Sequence, residues 1–267
     1  MFQLNAKLIK NIEVAPNYYK MVLAAPSIAR AAKPGQFVNI LVSEKFEPLL
    51  RRPFSVHRIN SSNLEILYKA VGKATELLSQ KRLGINLNIL GPLGNGFSIL
   101  DPSFSILVAG GIGVAPLLFL AEQTRIQYPA SRIKILIGAK NKKDILCAEA
   151  FKNLGCEVKI ATEDGSSGFK GLVTELLKKF LATSHRPQAI SKNRKLAACS
   201  LKPAAIYACG PKPMLKEIAK ISKNKKIPAQ ISLEEHMACG IGACFGCVVK
   251  TKQGYKRVCK EGPVFNA

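Results

Sequence analysis

Four cysteines near the carboxy end, Cys239, Cys244, Cys247 and Cys259, stand in the spacing C-x4-C-x2-C-x11-C within HMACGIGACFGCVVKTKQGYKRVCKEG. This run constrains the fold more than any other. Its first three positions match the C-x4-C-x2-C spacing of plant-type [2Fe–2S] sites, which take four thiolates. Gly240, Gly242 and Gly246 let the backbone wrap closely and turn N–H groups toward cluster sulfurs. VVKT and GYKRVC read as a hairpin that returns the fourth cysteine. A four-cysteine zinc site is the alternative. Such sites usually combine two C-x2–4-C knuckles, whereas this run has one knuckle and a lone cysteine. The other cysteines, Cys147, Cys156, Cys199 and Cys209, have no ligand spacing, and the first three read as packing or surface thiols.

Upstream the chain has two rhythms. Through about residue 100, segments such as AKLIKNIEVAP, YYKMVLAAP, GQFVNILVS, FSVHRIN and NLEILYKAV carry β-branched and aromatic residues bounded by Pro, Gly, Asn or Ser. About six short strands predict a small antiparallel barrel, with one helix over Lys73–Gln80. After Asp101, strands (SILVAGG, RIKILIGAK, CEVKIATED, AAIYACGP) alternate with helices (VAPLLFLAEQTRI, GLVTELLKKF, PKPMLKEIAKISKN). That alternation indicates βαβ units around a parallel sheet. The expected division is therefore a barrel at 1–100, an α/β domain at 101–230 and a cysteine module at 231–267.

Composition excludes other classes. With 267 residues and 48% apolar content the chain is globular, and eight cysteines are too few for a disulfide scaffold. The formal charge of +23 raises the question of nucleic acid. Its cations concentrate between Lys178 and Lys226, notably in the irregular stretch 183–203, without the interleaved aromatics a stacking surface needs. A solvated basic face is the plainer reading. No charge falls between Asp101 and Glu122, but Pro102, Gly110, Gly111, Gly113 and Pro116 break the run, so strand, tight turn and helix are expected rather than a membrane span. The amino terminus lacks a signal-type apolar core, which makes the cytoplasm the expected compartment.

Three motifs suggest nucleotide chemistry. Arg52-Pro53-Phe54-Ser55 offers a guanidinium for a pyrophosphate and a hydroxyl for a flavin edge, or an ordinary turn before a strand. AVGKATELL sets Thr75 at a helix start suited to a phosphate. Gly110-Gly111-Ile112-Gly113-Val114-Ala115-Pro116 follows a strand and opens a helix. It matches the dinucleotide fingerprint only in part, because Pro116 takes the third glycine position, and a packing turn is the alternative. Cys209 and Gly210, in YACGPKPM, fall at the ligand-binding end of a strand. Lys140, Lys142 and Lys143 follow the second strand, where a 2′-phosphate could be recognised, or form a solvated loop, so sequence leaves NAD versus NADP open.

RPFS, GGIGVAP, ACGPKPM and the cysteine loop, in that order, resemble the ferredoxin-NADP reductase superfamily. Within it the ending SLEEHMACGIGACFGCVVKTKQGYKRVCKEGPVF, together with TEDGSSGFKG, is similar to the electron transfer subunits of dihydroorotate dehydrogenase B. The resemblance implies FAD at the junction of barrel and α/β domain, lined by Arg52, Pro53, Phe54 and Ser55, by Leu67, Tyr68 and Lys69, and by Ala74 and Thr75. Ala74 stands where the family usually has glycine. It implies NAD(H) near Gly111, Gly113, Cys209 and Gly210, and Cys239, Cys244, Cys247 and Cys259 as ligands of a [2Fe–2S] cluster. It further implies an FMN-containing dihydroorotate dehydrogenase partner in a two-plus-two heterotetramer serving pyrimidine (UMP) synthesis, with electrons passing through cluster and FAD to NAD+ and no acid–base catalyst on this chain. A cluster-bearing subunit of a hydrogenase or sulfide dehydrogenase, and a zinc-stabilised basic binding protein, are the rival readings.

Overall fold

The computed structural model of the chain describes residues 1–44, 47–183, 203–251 and 253–267; Cys199 and nearly all of the basic stretch 183–203 lie outside the described residues. Strands β1 (Phe2–Ala15), β2 (Tyr18–Ala24), β3 (Phe37–Ile40), β4 (Arg52–Ser55), β5 (Arg58–Asn60), β6 (Asn63–Lys69) and β7 (Asn86–Leu93) form one antiparallel sheet in the order β4-β3-β7-β1-β2-β6-β5. Long β1, bent by two register shifts, pairs with both β7 and β2. The strand pattern alternates as a half-buried sheet requires, with Leu87 and Ile89 of β7 turned inward. Leu8, Met21, Leu23, Ile40, Leu64, Ile66 and Ile89 fill the interior, each fully buried aliphatic contributing about 1.5–3 kcal/mol. Helices α1 (Pro26–Ala31) and α2 (Lys73–Ser79) add Ile28 and Leu78 to the same core. The segment FSVHRIN, expected as one strand, is split between β4 and β5 at Val56 and His57.

The second sheet contains β8 (Phe104–Gly110), β9 (Arg132–Ala139), β10 (Glu157–Thr162), β11 (Phe169–Lys170), β12 (Ala205–Cys209) and β13 (Ala229–Ser232), parallel in the order β11-β10-β9-β8-β12-β13. Helices α3 (Val114–Gln127), α4 (Ala148–Asn153), α5 (Val173–Thr183) and α6 (Lys212–Lys225) connect them. Strand order reverses at β8, so the crevice beyond its carboxy end is where such a sheet binds ligands. All seven residues of β8 are buried, as a central parallel strand requires. The hairpin β14 (Val248–Thr251) and β15 (Gly254–Arg257) follows, and β16 (Val264–Asn266) returns antiparallel to β13 at the sheet edge.

Helix α3 binds the two sheets together, which explains the uniformly apolar sequence of its first half, Val114–Ala121. One side packs on β8 and β12, while Phe119 enters the barrel core. The Nδ1 atom of buried His57 lies 2.9 Å from the Ala115 carbonyl oxygen, and Arg58 ion-pairs with Glu122 at 2.5 Å. Burial lowers the His57 pKa to about 4, so the neutral ring donates its Nδ1–H to Ala115. The charge-free run is thus strand, glycine turn and interdomain helix. No helix among the described residues is long and apolar enough to cross a membrane.

Candidate cluster loop and nucleotide cleft

The cysteine loop rests on the barrel rather than standing apart. Cys247, Val258 and Cys259 pack with Phe37 of β3 and Leu93 of β7. Asn95 donates from Nδ2 to the Lys260 and Glu261 carbonyls, and its backbone N–H bonds to Gly262 O at 2.5 Å. Two backbone hydrogen bonds link the cysteines in pairs: the Cys244 N–H donates to Cys239 Sγ and the Cys259 N–H to Cys247 Sγ, each at 3.4 Å. Burial would raise the Cys239 pKa, but the backbone N–H groups of Cys244, Ile241 and Ala243 and the Cys244 thiol hold it at about 6. Burial, then the neighbouring Cys247, pushes the Cys259 thiol up to about 12. With the Gly246 N–H also donating to Cys244 Sγ at 3.4 Å, N–H groups already aimed at sulfur and the C-x4-C-x2-C-x11-C spacing fit a thiolate-held iron–sulfur cluster.

Strand β3 separates this loop from the RPFS strand by a single step. Its residue Asn39 pairs in register with Pro53 of β4, and the Asn39 Nδ2 donates to Cys239 O at 3.4 Å. On β4, Phe54 turns inward and meets Tyr68 edge-on, with ring centroids 5.6 Å apart. Arg52 and Ser55 are half-buried. Arg52 Nη1 donates to Leu50 O at 2.6 Å and to Arg51 O at 3.4 Å; its Nε and Nη2 have no hydrogen bond among the described residues. Exposed Leu50 and Val71 provide apolar surface in the loops beside Arg52 and Thr75.

The β6 residues divide by the pleat. Tyr68 is buried in the barrel, its hydroxyl donating to Asn11 Oδ1 at 3.0 Å and its pKa raised by burial to about 12. Leu67 packs toward the α/β domain, and Lys69 donates to Tyr18 OH at 3.1 Å. Ala74 is buried in the barrel core. The Thr75 hydroxyl closes the start of α2, accepting from Val71 N–H and Gly72 N–H and donating to Gly72 O.

A cleft of about 540 Å³ opens where the barrel meets the carboxy ends of β8, β9 and β10. Gly111 lines it with open space on its Cα–H side, whereas Gly113 is closed against β12, where a β-carbon would stand 2.2 Å from Cys209 O. Only one of the two glycines therefore faces the cleft; the other permits α3 to approach the sheet. Cys209 is buried behind the cleft, its thiol pKa raised by burial, and Gly210 sits against Gly110 and Met214. Pro211, Pro213 and Met214 present the ACGPKPM turn to the cleft. Lys140 and Glu163 line the adjoining wall, while Lys142 and Lys143 form a short turn capped by Asn141. Burial raises the Cys147 thiol to about 12 and the Cys156 thiol to about 11, which removes both as reactive thiolates.

Sequence reasoning passed over Tyr18, Asp144 and Asn39. Tyr18 OH lies 3.4 Å from Asp144 Oδ1 and accepts from Lys69, forming a polar bridge from barrel to α/β domain at the cleft. The β2–β6 register, which sets Tyr18 opposite Lys69, is the signal that finds it.

Comparison with known proteins agrees with this layout. Residues 234–267 match the family described as the iron–sulfur cluster binding domain of dihydroorotate dehydrogenase B, and residues 107–220 match the oxidoreductase NAD-binding domain. A Desulforamulus reducens protein named dihydroorotate dehydrogenase B (NAD(+)), electron transfer subunit is 42% identical, covering 98% of this chain and 95% of its own. A Bacillus pumilus protein of the same name is 41% identical over 97% and 95%. Among solved structures, an NADH-dependent reduced ferredoxin-NADP oxidoreductase superposes with TM-score 0.81 at 27% identity, covering 98% of this chain and 88% of that one. A ferredoxin NADP+ reductase from Neisseria gonorrhoeae shares the fold alone, with TM-score 0.67 at 17% identity over 84% of this chain and 91% of that one.

Proposed function

The chain belongs to the family of dihydroorotate dehydrogenase B electron transfer subunits, and on that premise we propose how its parts connect an FMN-containing catalytic subunit to NAD+. It is a flavin and iron–sulfur oxidoreductase subunit that uses FAD, a [2Fe–2S] cluster and NAD+. The functional division runs 1–100 for flavin, 101–230 for NAD and 231–267 for the cluster, in a cytoplasmic two-plus-two assembly serving UMP synthesis.

When bound, the cluster moves single electrons, FAD exchanges singles for pairs, and NAD+ accepts a hydride. The chain's own residues supply position. Cys239, Cys244, Cys247 and Cys259 would hold the cluster, and the Cys244 N–H that donates to Cys239 Sγ favours its thiolate. Arg52 offers Nε and Nη2 to a pyrophosphate and Ser55 a hydroxyl to the ring edge, with Pro53 and Phe54 fixing the strand between them. Leu67 and Lys69 would cover the flavin from β6, and Tyr68 holds that strand through Asn11. Ala74 and Thr75 set the turn before α2, where backbone rather than the occupied Thr75 hydroxyl faces the phosphate. Gly111 gives NAD+ close backbone approach, while Gly113, Cys209 and Gly210 form the packed floor behind it. No residue is assigned an acid–base role.

The observation that carries this reading is the placement of β3, which touches Cys239 through Asn39 on one side and pairs with the flavin strand at Pro53 on the other. Flavin and cluster would then share one rigid wall, as sequential electron transfer requires. Co-expression with a dihydroorotate-oxidising FMN protein tests it. A stable complex reducing NAD+ with dihydroorotate is expected. Exclusive assembly with a hydrogenase or sulfide dehydrogenase partner would contradict it.

A further inference from the structure

Arg257 touches every segment that separates the four cysteines. It stands between Cys247 and Cys259 at the end of β15, and its Nη1 donates to Gly242 O at 2.8 Å, between Cys239 and Cys244. Its guanidinium carbon lies 5.0 Å from the ring centroid of Phe245, between Cys244 and Cys247. Glu261, just past Cys259, holds it in place. The carboxylate accepts from Nε at 3.2 and 3.1 Å, from Nη2, and from the Arg257 backbone N–H at 2.7 Å. Both side chains are only partly exposed, at 23% and 29%, so solvent screens them incompletely.

A four-thiolate [2Fe–2S] centre gains negative charge on reduction, so a nearby cation favours the reduced form and a nearby anion opposes it. Gly242, whose carbonyl Arg257 engages, belongs to the loop that wraps Cys239 and Cys244. The charge is therefore placed against the loop that carries the cysteines rather than on a remote face. A fork of five donors suits this task better than an ammonium, because it reaches the loop carbonyl and the carboxylate together.

We propose that Arg257 is a positioning residue that braces the cluster loop and helps set the cluster's reduction potential, with Glu261 fixing its geometry and offsetting part of its charge. The proposal rests on the reading of the four cysteines as cluster ligands and adds to it a role for two residues outside the ligand set.

The test is a redox titration of the full-length, cluster-loaded protein, followed by the paramagnetic signal of the reduced cluster. Wild type is compared with Glu261→Gln, Arg257→Gln and Lys250→Gln. Glu261→Gln keeps the side chain's shape and one acceptor oxygen for Arg257 but removes the offsetting charge, and the midpoint is expected to rise. Arg257→Gln is expected to lower it, and Lys250→Gln, an exposed charge on the same hairpin, to leave it unchanged. If Arg257→Gln fails to load, the Glu261→Gln shift decides alone. A loaded Glu261→Gln cluster titrating at the wild-type midpoint, or a Lys250→Gln shift of equal size, would overturn the proposal. A wild-type protein with no signal would instead remove the cluster reading beneath it.

Discussion

The side-chain amide of Asn39 lies 3.4 Å from the carbonyl oxygen of Cys239, and a β-carbon on Gly240 would stand 2.0 Å from that same amide nitrogen. The barrel wall and the cluster loop are in contact at this point, with no space for a side chain between them. Gly240 also holds a φ of 70°, which disfavours any L side chain. Gly240→Ala is therefore expected to displace the first cluster ligand. Iron per flavin in the purified variant should fall well below wild type while flavin content is retained. Full iron loading would show that this contact is not needed.

The two glycines of the GGIG turn should respond differently. At Gly113 an added methyl meets the Cys209 carbonyl and the Gly210 nitrogen, backbone atoms that cannot rotate away. Gly113→Ala should destabilise the α/β domain by about 1–3 kcal/mol or more, read as a loss of several degrees in Tm. At Gly111 the methyl meets nothing within 4 Å, and the cost is the left-handed φ of 54°, about 1 kcal/mol. Gly111→Ala should instead raise KM for NADH, because this residue faces the cleft. Steady-state kinetics and thermal melts on the two variants separate these outcomes.

His57 predicts a pH dependence. Its folded pKa of about 4 lies below the ordinary 6.5, so between those values the unfolded chain binds a proton that the folded chain excludes. Stability from the neutral ring is complete above about pH 6.5 and is lost progressively as pH falls toward 4, to a limit of about 3 kcal/mol. His57→Asn, which keeps a donor for Ala115 O without titrating, should lose less stability than wild type between pH 7 and pH 5. Parallel melting curves for the two proteins would count against this account.

Cys244→Ser separates the two halves of the electron path. It removes the exposed one of the four proposed cluster ligands, so dihydroorotate-to-NAD+ transfer in the assembled enzyme should be abolished. NADH oxidation by two-electron artificial acceptors, which needs only FAD and the nucleotide cleft, should persist near wild-type rate. Equal loss of both activities would mean that the loop is structural.

How much of this was legible in sequence depended on range. The β-branched and aromatic residues of segments such as YYKMVLAAP and NLEILYKAV, and the apolar run of β8, announce a barrel and a parallel sheet, because those patterns are local. The cysteine spacing announces a cluster for the same reason. Other features needed partners far along the chain. Tyr18 reads as one aromatic of a strand until the register sets it opposite Lys69. Gly111 and Gly113 look equivalent in GGIG, and only the packing of α3 on Cys209 separates a cleft glycine from a packing glycine. Thr75 carries the hydroxyl a phosphate site would use, yet the turn at Gly72 consumes it. The split of FSVHRIN at His57 answers to Ala115, a residue on a different domain.

The most direct test of the account is the paramagnetic spectrum of anaerobically purified protein after dithionite reduction, taken with iron, sulfide and zinc assays. A [2Fe–2S] cluster on Cys239, Cys244, Cys247 and Cys259 predicts equal amounts of iron and acid-labile sulfide and a signal from a single unpaired electron on a reduced two-iron centre. Protein that carries zinc, lacks sulfide and stays silent after reduction would contradict it.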